Sequence, residues 1–171
     1  MMQWTKVCGL VVGVVLCLAA AVLALAADGA AAEPGQAIPF FAYIDPVTFC
    51  LDPRSFEAAI TPRTKAVIPV HLLGHPAEMD QIMAIARRHK LKVIEDCAQA
   101  PGATYKGRLV GTMGDCAVFS FQESKNMMTG EGGMLISNDS ELVEQARMVR
   151  NQGETVIAGE ARKYLAQTIG W

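Results

Sequence analysis

The sequence predicts an α/β protein with a mainly parallel sheet, flanking helices and an apolar helix at its N-terminus. Three observations carry that expectation. Beyond residue 37, short apolar runs of strand length alternate with stretches whose apolar residues recur at helical spacing, the pattern of layered α/β folds. Most of the runs end in polar residues, as strands do when they deliver side chains to one rim of a parallel sheet. Residues 7–27 hold no charged side chain, and 14 of the 15 basic residues follow them.

The chain divides into residues 1–35, an apolar leader and linker, and residues 36–171, the α/β part. Lys6 opens the leader, and the uncharged stretch after it has the roughly 20-residue length that spans a bilayer core as a helix. Ala24-Leu25-Ala26 also fits the small-residue cleavage site of a secretory signal. Three readings stand: a signal, an uncleaved anchor holding residues 7–27 in a membrane, or an apolar stretch from a mistaken start. Ala, Gly and Pro from residue 28 onward form the linker.

Residues 38–44 are an apolar run of strand type. Asp52 and Pro53 suit the N-cap and first position of a short helix through Ile60. Residues 66–70 suit a buried strand that Pro69, lacking a ladder donor, helps to end. From Pro76 to Lys90, Met79, Ile82, Met83 and Ala86 line one helical face. Residues 91–94 form a strand ending in Glu95 and Asp96, and residues 117–121 and 134–136 are two more. Asn138 with Glu141 resembles a capping box, and Leu142, Val143, Ala146 and Val149 share the face of the helix that follows.

The 171 residues suit about one domain. Half the chain is apolar (51%) and the net charge is −2, which excludes a disordered chain and gives no basic excess for nucleic acid. Cys50, Cys97 and Cys116, the cysteines outside the leader, are odd in number and unpaired in spacing, so they are small buried side chains rather than a disulfide framework. His71 and His75 stand four apart, but Gly74 and Pro76 break any helix and no carboxylate completes a ligand set, so no metal is expected. The Gly130-Glu131-Gly132-Gly133 turn is not the glycine pattern of dinucleotide sites.

Ligands of α/β sheets bind beyond the carboxyl ends of strands. Asp96 would stand there partly desolvated, a carboxylate in need of a cation or several donors. Taken singly, Asp96 is a helix cap, Ser120 a loop hydrogen bond and Lys125 a solvated amine. Taken together beside a glycine-rich turn, a carboxylate, a hydroxyl and an amine suit a cofactor with a protonated ring nitrogen, a phosphate and an aldehyde. Pyridoxal 5'-phosphate has that set of groups.

Ile94-Glu95-Asp96-Cys97-Ala98-Gln99-Ala100, Gly111-Thr112-Met113-Gly114-Asp115, Phe119-Ser120-Phe121-Gln122-Glu123-Ser124-Lys125-Asn126 and Thr129-Gly130-Glu131-Gly132-Gly133 occur in that order. With Ile44-Asp45-Pro46 and Val70-His71-Leu72-Leu73-Gly74 upstream and Arg150-Asn151-Gln152-Gly153 downstream, they resemble the DegT/StrS-type sugar aminotransferases of fold type I. The resemblance implies that residues 36–171 are an incomplete large domain of such a pyridoxal-phosphate-dependent transferase. The family's upstream Gly-Thr phosphate turn and stacking aromatic have no counterpart here, nor have its downstream Asn segment and small C-terminal domain. It further implies that Lys125 forms the internal aldimine and acts as general base, Asp96 pairs with the pyridine nitrogen, Gln99 lies near the phenolic oxygen, Ala98 backs the ring and Ser120 binds phosphate. The family moves an amino group from glutamate or glutamine to a keto sugar nucleotide or keto-cyclitol, as cytoplasmic homodimers. Two alternatives are a truncated, catalytically inactive fragment and an anchored or exported α/β module without activity.

Overall fold

Strand β4 (Lys92–Asp96) is the axis of the molecule. In the computed structural model, which describes residues 24–27 and 37–151, it is flanked by two parallel neighbours, β3 (Thr64–Val67) and β7 (Cys116–Ser120). Three further strands pair antiparallel toward the edges: β1 (Ala24–Ala27), β2 (Ala37–Phe40) and β8 (Gly133–Ile136). The order across the sheet is β2–β1–β3–β4–β7–β8. Val67 lies opposite Val93, Asp96 opposite Val118, and Ser120 opposite Gly133.

Helices cover both faces. Helix α1 (Pro53–Ala59) starts as expected, with the Asp52 carboxylate accepting the Arg54 N–H and Pro53 at the first turn. Helix α2 (Met79–His89) turns Met79, Ile82, Ile85 and Ala86 inward. Its first residue is Met79 rather than Pro76, and the Ala77 N–H just before it bonds His71 Nδ1 at 3.0 Å. On this face Phe56, Met79, Ile82, Val67, Val93 and Ala117 form the main core. Ala66, Ile94 and Cys116 point the other way, toward Leu142 of helix α3 (Ser140–Arg150). The cap of α3 is Asp139, whose carboxylate accepts the N–H groups of Glu141 and Leu142. Asn138, the expected cap, is one residue early.

Pro69 lies two residues beyond β3, which stops at Val67 instead of running over residues 66–70. Its carbonyl nevertheless accepts the Asp96 N–H at 2.9 Å and the His71 N–H returns to the Asp96 carbonyl at 3.0 Å, so the parallel register is kept to the sheet rim. A short hairpin, β5 (Thr104–Tyr105) and β6 (Arg108–Leu109), was not foreseen; Lys106 and Gly107 both take positive φ at its turn.

The N-terminal apolar helix needs correction where it can be seen. Ala24–Ala27 is a strand, paired on one side with β2 and on the other with β3. Partners on both flanks outweigh the helical preference of an Ala/Leu run. The rest of that stretch lies outside the described residues. Among the described residues no helix is long and apolar enough to cross a membrane.

Candidate active site

Asp96 and Ser120 are the last residues of β4 and β7. The strands are parallel and Asp96 is level with Val118, so Asp96, Val118 and Ser120 share one face and one rim of the sheet. The Cys97 N–H bonds the Val118 carbonyl at 2.9 Å and holds the two strand ends together. Burial pushes the Asp96 carboxyl above the usual carboxylate range. The Ala98 N–H at 2.9 Å and the positive charge of Lys125 pull the other way without cancelling it. The structure therefore brings Asp96 and Lys125 within electrostatic reach, although 29 positions separate them in the chain.

Lys125 is half-buried and stands in a loop after β7 that is braced at its base. Phe121 closes it in both directions, its N–H on the Gly132 carbonyl at 2.8 Å and its carbonyl on the Thr129 N–H at 2.9 Å. Ser120 Oγ accepts the Gln122 N–H at 3.4 Å, so its own proton points elsewhere. Gln99 Oε1 accepts the Leu73 N–H at 3.1 Å, which leaves the NH2 end of its amide to donate. Ala98 is buried beside Asp96. The five residues singled out in the sequence thus all lie on the β4 and β7 ends or the segments directly after them.

Glu95 behaves oppositely to its neighbour. It points to the other face and is fully buried, yet its carboxylate is satisfied four times. Oε1 accepts the Met113 and Gly114 N–H groups at 2.7 and 2.6 Å, and Oε2 accepts the Gly111 N–H at 2.7 Å and His71 Nε2 at 3.0 Å. Burial alone would raise this carboxyl; the His71 bond and the three N–H groups outweigh it and hold it below the usual range. Two glycines make the nest possible. A Cβ at Gly114 would lie 2.7 Å from the Val93 carbonyl oxygen, and one at Gly111 would lie 2.8 Å from the Phe119 ring.

His71, Glu95 and Cys97 place ligand-type atoms within 4.8 Å of one another, a grouping the His71/His75 comparison missed. Its chemistry is not that of a metal site. His71 Nδ1 takes the Ala77 N–H and Nε2 gives its proton to Glu95, while burial and then the charges of Glu95 and Asp96 drive the Cys97 thiol far up, so that it stays protonated. Cys50, Cys97 and Cys116 are buried and form no disulfide with one another, as their neighbours suggested. A cleft of about 350 Å³ beside Arg87, Lys90, Lys92 and Asp115 opens at the amino-terminal end of β4, away from Asp96.

Solved proteins share this fold. The chain superposes on an aminotransferase from Psychrobacter cryohalolentis with a TM-score of 0.71 and 42% identity, over 79% of this chain and 36% of that one. It is 54% identical over 117 residues to GDP-perosamine synthase of Caulobacter vibrioides, covering 68% of this chain and 32% of the synthase. It is also 51% identical over 118 residues to L-glutamine:2-deoxy-scyllo-inosose aminotransferase of Streptoalloteichus tenebrarius, covering 69% and 28%. The chain spans about a third of the length of the curated relatives it matches. Residues 20–171 match the model of the DegT/DnrJ/EryC1/StrS aminotransferase family, and the chain belongs to that family.

Proposed function

We propose that this chain carries the lysine and aspartate of a pyridoxal-phosphate-dependent aminotransferase that moves an amino group from glutamate or glutamine to a keto sugar nucleotide or keto-cyclitol. The observation that carries this is the placement of the Asp96 carboxylate and the Ser120 hydroxyl on one face and one rim of the sheet, with the half-buried Lys125 in the loop that follows β7. On this reading residues 36–171 supply part of the large domain, and two copies pair as in the intact family.

The residues fit the cofactor chemically. A half-buried carboxylate, desolvated and held by the Ala98 N–H, gains from a cationic ring nitrogen, a hydroxyl with a free proton suits a phosphate oxygen, and an amide turned with its NH2 outward suits a phenolate oxygen. Pyridoxal phosphate, when bound, supplies the electron sink that makes a proton on the amino donor acidic. Asp96 keeps the ring nitrogen protonated by remaining charged beside it. Ser120 anchors the phosphate end and Gln99 the opposite edge, while Ala98 presents a small flat surface with no competing polar group. Lys125 would be the general base: as a free amine its Nζ would take the proton from the donor carbon and return it two atoms further along, a 1,3-shift.

The test is amino transfer from isotopically labelled glutamate and glutamine to a keto sugar nucleotide and to a keto-cyclitol, with Lys125→Ala in parallel. Label in the sugar or cyclitol product, absent with Lys125→Ala, is the expected result. Equal label with and without Lys125 refutes the proposal.

A further inference from the structure

Between β7 and Lys125 the chain makes a tight turn, and most of its hydrogen bonds converge on Gln122. The side-chain Oε1 accepts the Ser124 N–H at 2.9 Å and the Ser124 hydroxyl as well. The main-chain carbonyl accepts the Lys125 N–H at 2.9 Å. The Gln122 N–H in turn points at Ser120 Oγ, 3.4 Å away. Two consecutive N–H groups, those of residues 124 and 125, therefore end on one residue, one on its side chain and one on its backbone. Together they fix the peptide planes on either side of Ser124, and with them the direction in which the Lys125 side chain leaves the chain.

We propose that Gln122 is a positioning residue for Lys125: its amide clasps Ser124 so that the amine is launched toward Asp96, and its N–H turns the Ser120 proton outward. This rests on the reading of Lys125 as the cofactor-binding amine. A lysine has four rotatable side-chain bonds, so its reach is long but its aim is poor unless its origin is fixed. The next brace along the loop, the Thr129 N–H on Phe121, comes four residues after Lys125. Ser124 is exposed and Gln122 half-buried; the clasp is set in a solvent-facing turn and is not part of the core. Its loss therefore leaves the fold intact, which makes the proposal open to test.

Three variants of the full chain separate the possibilities. Gln122→Ala removes the side-chain acceptor. Gln122→Asn restores it, since a shorter amide closes the same kind of turn on the N–H two residues ahead. Lys125→Ala removes the amine. Two readouts are taken: amide hydrogen exchange of residues 122–126 without cofactor, and binding of pyridoxal phosphate by absorbance, with borohydride reduction and peptide mapping of the labelled lysine. Gln122→Ala is expected to exchange faster at residues 124 and 125 and to bind pyridoxal phosphate about tenfold more weakly at Lys125, the ratio that one net hydrogen bond represents. Gln122→Asn should lie within about twofold of the parent in both, and all three should melt with the parent. Gln122→Ala binding as tightly as the parent overturns the proposal, as does an equal defect in Gln122→Ala and Gln122→Asn. If the parent takes up no more cofactor than Lys125→Ala, the assigned role of Lys125 falls, and this proposal with it; the exchange data then show separately whether the clasp exists.

Discussion

Replacing Glu95 by glutamine changes one atom type and should be among the most damaging single substitutions in this chain. Glu95 accepts four hydrogen bonds, two on each carboxylate oxygen, at 2.6 to 3.0 Å. A glutamine keeps one oxygen and puts an NH2 where the other stood. Whichever way the amide is turned, it faces two donors with two more. His71 cannot relieve the conflict by moving its proton, because Nδ1 is occupied by the Ala77 N–H. Two buried donors are then left unpaired at about 1–3 kcal/mol each, which predicts a loss of about 2–6 kcal/mol from the 5–15 kcal/mol typical of a domain. Urea unfolding followed by circular dichroism at neutral pH measures it. The sign with pH is also set. The folded Glu95 carboxyl titrates below its ordinary value of 4.5, so the stability it confers is complete above that value and is lost as pH falls through the lowered one. The gap between parent and Glu95→Gln should therefore close in acid. A gap under about 1 kcal/mol at neutral pH, or one that persists unchanged into acid, would refute this role of the Glu95 carboxylate.

Asp96→Asn should do the reverse. Because burial holds the folded carboxyl above its ordinary value, the native state binds that proton more tightly than the unfolded chain, and the parent loses stability as pH rises through that interval; at neutral pH and without cofactor, Asp96→Asn should melt higher than the parent while taking up less pyridoxal phosphate, and an equal or lower melting temperature would count against the desolvated carboxylate. Gly114→Ala places a methyl group 2.7 Å from the Val93 carbonyl oxygen and should cost about 1–3 kcal/mol in the same urea assay, with no loss contradicting the close approach. Cys97, buried and with its thiol driven far up, should resist iodoacetamide at neutral pH in native protein and react once urea unfolds it, as mass spectrometry of its peptide will show; comparable native labelling would contradict the burial.

Much of this architecture is written locally. The α2 face, the Asp52-Pro53 start of α1 and the apolar run of β4 each depend on residues within a turn or two of one another, so periodicity and capping chemistry find them. Asp96, Ser120 and Lys125 were legible for a different reason: strand ends in a parallel sheet collect on one rim, so the chain order of the apolar runs already lists the candidates. What escaped is what depends on distant partners. Ala24–Ala27 becomes a strand only because β2 and β3 flank it. Glu95 and His71 meet across 24 positions, and nothing near either residue announces the other. A signal did exist in the paired glycines of residues 111–114, whose missing side chains let three N–H groups converge on one carboxylate. Two adjacent carboxylates at one strand end also meant that opposite faces had to deal with them differently.

On the proposed reading Lys125 and Asp96 serve one bound molecule. The most direct measurement is borohydride reduction of the protein with pyridoxal phosphate, followed by peptide mapping of every labelled lysine in the parent, Lys125→Ala and Asp96→Ala. Label should concentrate on Lys125 in the parent, be absent from that peptide in Lys125→Ala, and be much reduced at limiting cofactor in Asp96→Ala. Label spread evenly over exposed lysines such as Lys65, Lys90 and Lys106, or label on Lys125 indifferent to Asp96, would contradict that reading.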